Sequence, residues 1–168
     1  MIKVGIITVS DKGSQGERED KAGPLIRQMI TEQGWEATAS AIIPDEQELI
    51  EAKLIEWADQ LSLDLVLTTG GTGFAERDVT PEATLAVIQK ETPGLAEAMR
   101  QESLKVTPMG MLSRAAAGIR GKTLIVNLPG SPKAVKECLN VILPALDHGI
   151  EILKGSAGEC AGKFHHRS

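Results

Sequence analysis

The chain has 168 residues, of which 42% are hydrophobic and 24% charged, and it carries a formal net charge of −5 at pH 7. This length predicts one domain that can bury a core without disulfides or a structural metal. The acidity and an aromatic content of only 2% argue against a nucleic-acid-binding surface, and no apolar run approaches the roughly 20 residues of a membrane span. The first residues lack the charged-then-apolar pattern of a signal peptide, so we expect a cytoplasmic protein without a nucleic-acid or membrane partner.

The first half of the chain alternates predicted strands and helices. Val4 to Val9 predicts a buried strand, and the apolar spacing after it predicts a helix from about Asp20 to Gln33. Trp35 to Ile43 predicts a second strand, and Asp45 followed by Glu48 has the spacing of a capping box for the helix behind it. Asp45 is therefore a candidate helix cap as well as a candidate ligand.

The central strand is predicted from Leu63 to Leu67, and it ends in a loop of threonines and glycines from Thr68 to Gly73. Thr80 is typical of the N-cap of a helix that runs from Pro81 to about Lys90. A further helix is predicted from Leu95 to Leu104.

The last part of the chain predicts a hairpin followed by helices. Residues 114–119 are typical of a short extended piece, which turns at residues 120–122 into a strand from Thr123 to Asn127. Ser131 and Pro132 are typical of the N-cap and first residue of a helix, and Pro144 predicts the start of another helix or a kink.

We find no repeat or linker, and we expect one domain over residues 1–155 followed by a loose polar tail over residues 156–168. His165 and His166 lie in that tail near Cys160, in a spacing that fits no common metal-ligand pattern. The two cysteines of the chain predict reduced thiols rather than a disulfide framework.

The alternation of strands and helices predicts an α/β fold, a largely parallel sheet sandwiched between helices on both faces. Polar segments follow four predicted strands, and open α/β sheets bind ligands outside the carboxyl ends of their strands. We therefore expect these segments to converge on one site. The candidate binding residues are Ser10, Asp11, Thr69, Gly70, Gly71, Thr72, Gly73, Ser113, Arg114, Asn127, Pro129, Gly130 and Ser131.

The glycine-rich loop and a nearby acid together suggest the kind of ligand. Glycines let the main chain approach an anion closely, and threonine hydroxyls add donors. Asp78 next to such a loop would repel a phosphate unless a divalent cation lay between them, so Asp45 and Asp78 are candidate Mg²⁺ ligands. The loop is neither a Walker A motif nor a dinucleotide fingerprint.

Each of these residues also has a purely structural interpretation that the sequence leaves open. Asp45 could be only a helix cap, and Asp78 could be a solvated acid beside Arg77. Ser113 and Arg114 could supply a hydroxyl and a guanidinium to an anion, or form a turn and a surface charge.

Five motifs of the chain occur together in one known family. They are Pro44-Asp45, Thr68 to Gly73, Arg77 to Thr84, Leu112 to Arg114 and Asn127 to Gly130. In combination they resemble the MogA/MoaB family of molybdenum-cofactor biosynthesis proteins, and the likeness runs from Ile2 to about Gly155. Residues 91–95 and 113–121 are similar to the G domains of animal gephyrin and of the plant protein Cnx1.

The resemblance implies a molybdopterin adenylyltransferase, which converts Mg²⁺-ATP and molybdopterin into adenylylated molybdopterin and pyrophosphate. Asp45 and Asp78 match the two functional acids of the family, and residues 70–73 match the loop around the nucleotide phosphates. Ser113 matches a serine that handles the pterin phosphate. The resemblance also implies a homotrimer, and it allows a separate partner enzyme that inserts molybdate.

Two other functions remain open from the sequence. A protein of the same fold could bind molybdopterin as a scaffold without turning over ATP, or it could bind nucleotide for another substrate. The intact motif from Asp78 to Pro81 favours the enzyme. Ser131 departs from the family pattern, in which Asn or Gln is expected between the glycine and the second proline, so its role stays open.

Overall fold

The computed structural model describes residues 1–155, and our predictions for the tail, including Cys160, His165 and His166, lie outside that range. The strands are β1 (Lys3–Val9), β2 (Glu36–Ile43), β3 (Leu65–Thr69), β4 (Lys90–Glu91), β5 (Ala117–Arg120) and β6 (Thr123–Leu128). The helices are α1 (Asp11–Ser14), α2 (Ala22–Glu32), α3 (Gln47–Ile55), α4 (Thr80–Val87), α5 (Pro93–Val106) and α6 (Pro132–Leu153). A π-helical turn, Glu56–Gln60, continues α3, and a 3-10 helix, Pro108–Leu112, follows α5.

The strands form one six-stranded sheet in the order β2-β1-β3-β6-β5-β4. The first four strands in this order run parallel to one another, whereas β5 is antiparallel to both β6 and β4. The predicted hairpin is confirmed, and Gly121 turns it with a φ of +59° that suits glycine. The mixed but largely parallel sheet confirms the α/β fold class.

The core lies on both faces of the sheet because successive strand residues point to opposite sides. In β1, Val4 and Ile6 face the helices α2, α5 and α6, whereas Ile7 and Val9 face α3 and α4. The strands β3 and β6 alternate in the same way. Both faces of the central strands are therefore apolar, which is why their sequences are continuous hydrophobic runs.

Several predicted boundaries differ from those in the structure. The helix α6 is continuous through Pro144, whose exposed position leaves the apolar stripe of Leu139, Leu143 and Leu146 intact on the buried side. The predicted capping box at Asp45 is wrong, because α3 begins after Glu46 and no side chain caps it. The N-cap of α4 is Val79 rather than Thr80.

Other differences are shifts in length. The strand β3 extends through both threonines to Thr69, α4 ends at Val87, and α5 is longer at both ends than predicted. The one-turn helix α1 and the short edge strand β4 were not predicted. Within residues 1–155, none of the helices combines the length and the apolar character that crossing a membrane requires.

Candidate active site

A cavity of about 770 Å³ lies at the carboxyl ends of the parallel strands. Four segments that directly follow β1, β2, β3 and β6 contribute to its wall, as the sequence predicts, together with Asp78 and residues 18–22. Among our candidate residues, those that line the cavity are Ser10, Asp11, Asp45, Thr69, Gly70, Gly71, Asp78, Gly130 and Ser131. Side chains that are distant in sequence are thus brought to one place by the topology of the sheet.

Gly70 and Gly71 form the turn that leaves β3, and both have left-handed backbone conformations, with φ of +95° and +71°. A Cβ atom on Gly70 would collide with the carbonyl oxygen of Val9, so only glycine fits there. The Thr80 hydroxyl donates a hydrogen bond to the Gly70 carbonyl (3.0 Å), and the Thr80 N–H donates to that of Gly71 (3.2 Å). Thr80 therefore fastens the turn to α4 instead of capping the helix.

Asp45 and Asp11 are held by a reciprocal pair of hydrogen bonds. The N–H of Asp11 donates to Oδ2 of Asp45 (2.9 Å), and the N–H of Asp45 donates to Oδ1 of Asp11 (3.0 Å). The backbone of Asp11 is itself fixed at the start of α1, where the Ser10 hydroxyl oxygen accepts a hydrogen bond from Gly13. The segments after β1 and β2 are thereby joined at the cavity wall.

Arg77 makes a bidentate ion pair with Asp11, in which Nε and Nη2 donate to the two carboxylate oxygens at 3.0 and 2.8 Å. Hydrogen bonding from this guanidinium lowers the pKa of Asp11. In contrast, burial raises the pKa of Asp45, and the charges of Asp11 and Asp78 raise it further. Of the three acids Asp11, Asp45 and Asp78, only Asp11 forms an ion pair within residues 1–155.

Comparison with known protein families shows to which family this chain belongs. Residues 5–148 match the model of the MoCF_biosynth family, which is described as a probable molybdopterin binding domain. The chain belongs to this family. The resemblance inferred from its motifs is therefore confirmed.

Relatives of the molybdopterin-binding-domain family include named enzymes. The chain is 45% identical to the molybdopterin adenylyltransferase of Helicobacter pylori J99 over 157 residues, which cover 92% of this chain and 89% of the relative. It is 44% identical to the gephyrin of Dictyostelium discoideum over 96% of this chain but only 24% of that protein. The crystal structure of the molybdopterin biosynthesis enzyme MoaB from Thermus thermophilus has a TM-score of 0.88 and 51% identity, covering 92% of this chain and 98% of that one.

In this molybdopterin-binding-domain protein, Ser113 and Arg114 lie outside the cavity wall. The guanidinium of Arg114 donates to both carboxylate oxygens of Glu82 and to the carbonyls of Gly73 and Asp78, at 2.7 to 2.9 Å. The pairing with Glu82 also raises the pKa of Arg114. Arg114 thus ties the loop between β3 and α4 to the body of the protein, while the Ser113 hydroxyl oxygen accepts a hydrogen bond from Ala115.

The remaining candidate residues do not line the cavity but form hydrogen bonds next to its wall; they are Thr72, Gly73, Asn127 and Pro129. The buried Asn127 amide donates to the hydroxyls of Thr68 (3.0 Å) and Thr84 (2.8 Å), and its oxygen accepts a hydrogen bond from the N–H of Ala116 (3.1 Å). The Pro129 carbonyl accepts from the Thr69 hydroxyl at 2.6 Å. The carbonyl of Thr72 accepts from the Arg114 N–H. These contacts connect β3, α4 and the segments around β6.

The segment between α1 and α2 also lines the cavity, and it was not predicted as part of the site. Its cavity-lining residues are Arg18, Glu19, Asp20 and Lys21, and Lys12 and Gly13 of α1 line the cavity next to them. Asp20 anchors the segment, because its carboxylate accepts hydrogen bonds from the Thr8 hydroxyl (2.8 Å) and the Gly23 N–H (3.0 Å). The signal was available in the charged run of residues 17–21, which follows the first strand and a glycine-containing loop.

Proposed function

We propose that this chain is a cytoplasmic molybdopterin adenylyltransferase that transfers AMP from Mg²⁺-ATP to the terminal phosphate of molybdopterin. The proposal rests mainly on one observation: Asp45, Asp78 and the Gly70–Gly71 turn all line the same cavity. The volume of about 770 Å³ falls within the range of about 300–1,000 Å³ that is common for small-molecule sites. The family membership and the adenylyltransferase names of its relatives support the same activity.

The donor set of the cavity fits Mg²⁺. Asp45 and Asp78 each accept a backbone N–H at Oδ2, from Asp11 and Ala75, and within residues 1–155 neither Oδ1 atom has a hydrogen-bond donor. No group of three or more His, Cys, Asp or Glu side chains in that range is arranged to hold a metal. Two carboxylates completed by phosphate oxygens and water are the usual ligands of a nucleotide-bound Mg²⁺. We therefore assign Asp45 and Asp78 as the protein ligands.

The reaction needs no covalent intermediate on the protein. An oxygen of the molybdopterin phosphate forms a bond to the α-phosphorus of ATP, while the bond from that phosphorus to the bridging oxygen breaks and pyrophosphate leaves with the electron pair. The hydroxyl groups of Ser10, Thr69 and Ser131 on the cavity wall are all engaged in hydrogen bonds to the backbone. Their engagement favours a mechanism based on positioning and charge neutralisation.

The negative charges that meet in the cavity must be neutralised for both substrates to bind together. Two phosphorylated substrates enter a cavity that already holds Asp45 and Asp78, and unscreened negative charges repel strongly in a partly buried site. Mg²⁺, when bound, would neutralise part of this charge and polarise the α-phosphoryl group. The backbone around Gly70 and Gly71 would approach the phosphates closely, because no side chain intervenes.

The proposed enzyme is a homotrimer that can pass its product to a molybdate-inserting partner enzyme. Support for self-association comes from an exposed apolar surface at the end of α5 and in the 3-10 helix. Its residues are Leu104, Val106, Met109, Met111 and Leu112. A patch of adjacent exposed apolar residues often marks a protein interface.

The deciding experiment is a turnover assay with purified protein, molybdopterin, ATP and Mg²⁺. We expect pyrophosphate and adenylylated molybdopterin in equal amounts, and neither product after chelation of Mg²⁺. Binding of molybdopterin without either product would support the scaffold function instead. Tight ATP binding without any preference for molybdopterin would indicate a nucleotide-binding protein with another substrate.

Asp78→Asn tests the assignment of this acid. The amide keeps an oxygen that can accept the Ala75 N–H but removes the charge, so we expect kcat to fall by about 100-fold or more while molybdopterin affinity is retained. Steady-state kinetics and calorimetry with molybdopterin measure the two effects. As a control, Glu76→Gln removes a charge from the same loop and should leave kcat unchanged. Unchanged turnover in Asp78→Asn would refute the role of this acid.

A further inference from the structure

We propose that Arg77 is a positioning residue of the active site, which orients Asp45 by holding Asp11. The inference rests on the proposed function, because it concerns an acid that we assign to Mg²⁺ and ATP. Arg77 itself is not among the residues that line the cavity. It acts on the site through a second residue.

The geometry forms an unbroken path of contacts across three segments of the chain. Arg77 donates hydrogen bonds to both carboxylate oxygens of Asp11. Asp11 in turn exchanges two hydrogen bonds with Asp45, one in each direction. A bidentate guanidinium fixes the plane of a carboxylate, and the reciprocal pair transmits that orientation to the neighbouring acid.

The exposure of the ion pair indicates that folding stability is not its main contribution. The side chain of Arg77 is 57% exposed and that of Asp11 is 33% exposed. Ion pairs in such surroundings contribute little to stability, because solvent screens the charges. Its geometric effect on the active site is therefore the larger consequence.

The same contacts couple the two acids assigned to Mg²⁺. Arg77 directly precedes Asp78 in a loop that Arg114 holds from the inner side, at the carbonyls of Gly73 and Asp78. From the outer side, Arg77 connects this loop to Asp11 and thus to Asp45. The relative placement of Asp45 and Asp78 depends on both guanidinium groups.

The first test is Arg77→Gln, compared with Arg77→Lys and with the wild type. We expect kcat to fall by about tenfold in Arg77→Gln, with KM for molybdopterin changed by less than about twofold, because misorientation affects the reaction more than pterin binding. The Mg²⁺ concentration for half-maximal rate should rise. Arg77→Lys should be intermediate, since lysine keeps the charge but loses the bidentate geometry.

Arg120→Gln is the matched control. Arg120 makes the same kind of bidentate ion pair with Asp59, at 3.1 and 2.8 Å, and neither residue lines the cavity. We expect this variant to retain kcat even if its Tm falls by more than that of Arg77→Gln. An equal loss of kcat in both variants, accompanied by equal loss of Tm, would show a general effect of stability and overturn the proposal.

A double-variant cycle separates positioning from direct contact with substrate. In an Asp11→Ala background, Arg77→Gln should cause no further loss of kcat, because the residue through which Arg77 acts is already gone. Losses that multiply would show that Arg77 acts independently of Asp11 and would overturn the proposal. Unchanged kcat in Arg77→Gln alone would overturn it as well.

A binding measurement keeps this test independent of turnover. If the wild type forms no adenylylated product, the proposed function fails, and calorimetry with ATP and Mg²⁺ then decides the role of Arg77. A several-fold weaker Mg²⁺-dependent affinity in Arg77→Gln, absent in the Asp11→Ala background, would support the positioning role. Equal affinity in Arg77→Gln and wild type would reject it.

Discussion

At the scale of single residues, Asp45 is placed where a negative charge is unfavourable. Burial raises its pKa, and two neighbouring acids, Asp11 and Asp78, add to the effect. Because the folded pKa is higher than the unfolded one, the ionised form costs stability at neutral pH. That cost shrinks as the pH falls below the folded pKa and is gone below the unfolded pKa, where the carboxyl is protonated in both states.

We therefore expect Asp45→Asn to stabilise the ligand-free protein while abolishing turnover. The amide oxygen can still accept the Asp11 N–H, and the like-charge repulsion is removed. The gain in Tm should be about 1–3 °C at pH 7 and should shrink toward acidic pH, as measured by thermal unfolding in several buffers. A lower Tm for Asp45→Asn at neutral pH would contradict this account.

Asp59 provides a control in which the pKa shift has the opposite sign to that of Asp45. Its ion pair with Arg120 lowers its pKa, so its charge contributes stability above the unfolded pKa and loses that contribution as the pH falls through the folded value. Asp59→Asn should thus lower Tm slightly or leave it unchanged at pH 7. The two Asp→Asn variants differ only in their surroundings, which isolates the effect of the charged cavity.

At the scale of secondary-structure elements, α6 tolerates a proline in its interior. Pro144 has no N–H to donate, so one hydrogen bond of the helix is missing, and the ring crowds the preceding turn. The helix continues because its buried residues on both sides of the proline pack against the sheet. Tertiary packing here outweighs a strong local preference.

We expect Pro144→Ala to raise the free energy of unfolding by about 1–2 kcal/mol, which corresponds to a Tm higher by about 3 °C or more. Calorimetry or denaturant unfolding would measure the gain. Pro93→Ala is the matched control, because a proline at the first position of a helix costs no hydrogen bond and its removal should bring no gain. A lower stability for Pro144→Ala would mean that the proline fits the helix without strain.

Local patterns in the sequence predict secondary-structure elements better than they predict contacts between distant segments. Strand positions and the convergence of the segments on one edge followed from apolar runs and strand-to-loop transitions, which are local signals. The reciprocal bonding of Asp45 with Asp11 depends on two segments that are 34 residues apart, and no local pattern encodes it. The guanidinium of Arg114 likewise meets Glu82 and the loop carbonyls only after the chain has folded.

At the scale of the whole molecule, the exposed apolar surface beside the 3-10 helix bears on assembly. Met109 and Met111 are 65% and 66% exposed, and Gly110 between them is buried against the end of α5. Exposing such side chains to water in a monomer is unfavourable by about 25 cal/mol per Å² of apolar area. In the proposed homotrimer, a neighbouring copy of the chain would cover them.

We expect the double variant Met109→Glu, Met111→Glu to reduce the mass of the assembly, because charged side chains oppose burial in an interface. Sedimentation velocity at several protein concentrations would measure this mass. Leu61→Glu is a control, since Leu61 is also exposed but lies at the end of the π-helical turn that follows α3. Unchanged mass in the double variant would place the interface elsewhere.

The buried amide of Asn127 has a consequence for the motions of the protein. It joins β6 to β3, to α4 and to the segment before β5, so opening any one of these elements would leave a buried polar group unpaired, at a cost of about 1–3 kcal/mol. We therefore expect these elements to open together, which would appear as similar slow rates of hydrogen exchange for their backbone amides. The segment between α1 and α2 is mostly exposed, and we expect any rearrangement that admits a large ligand to occur there.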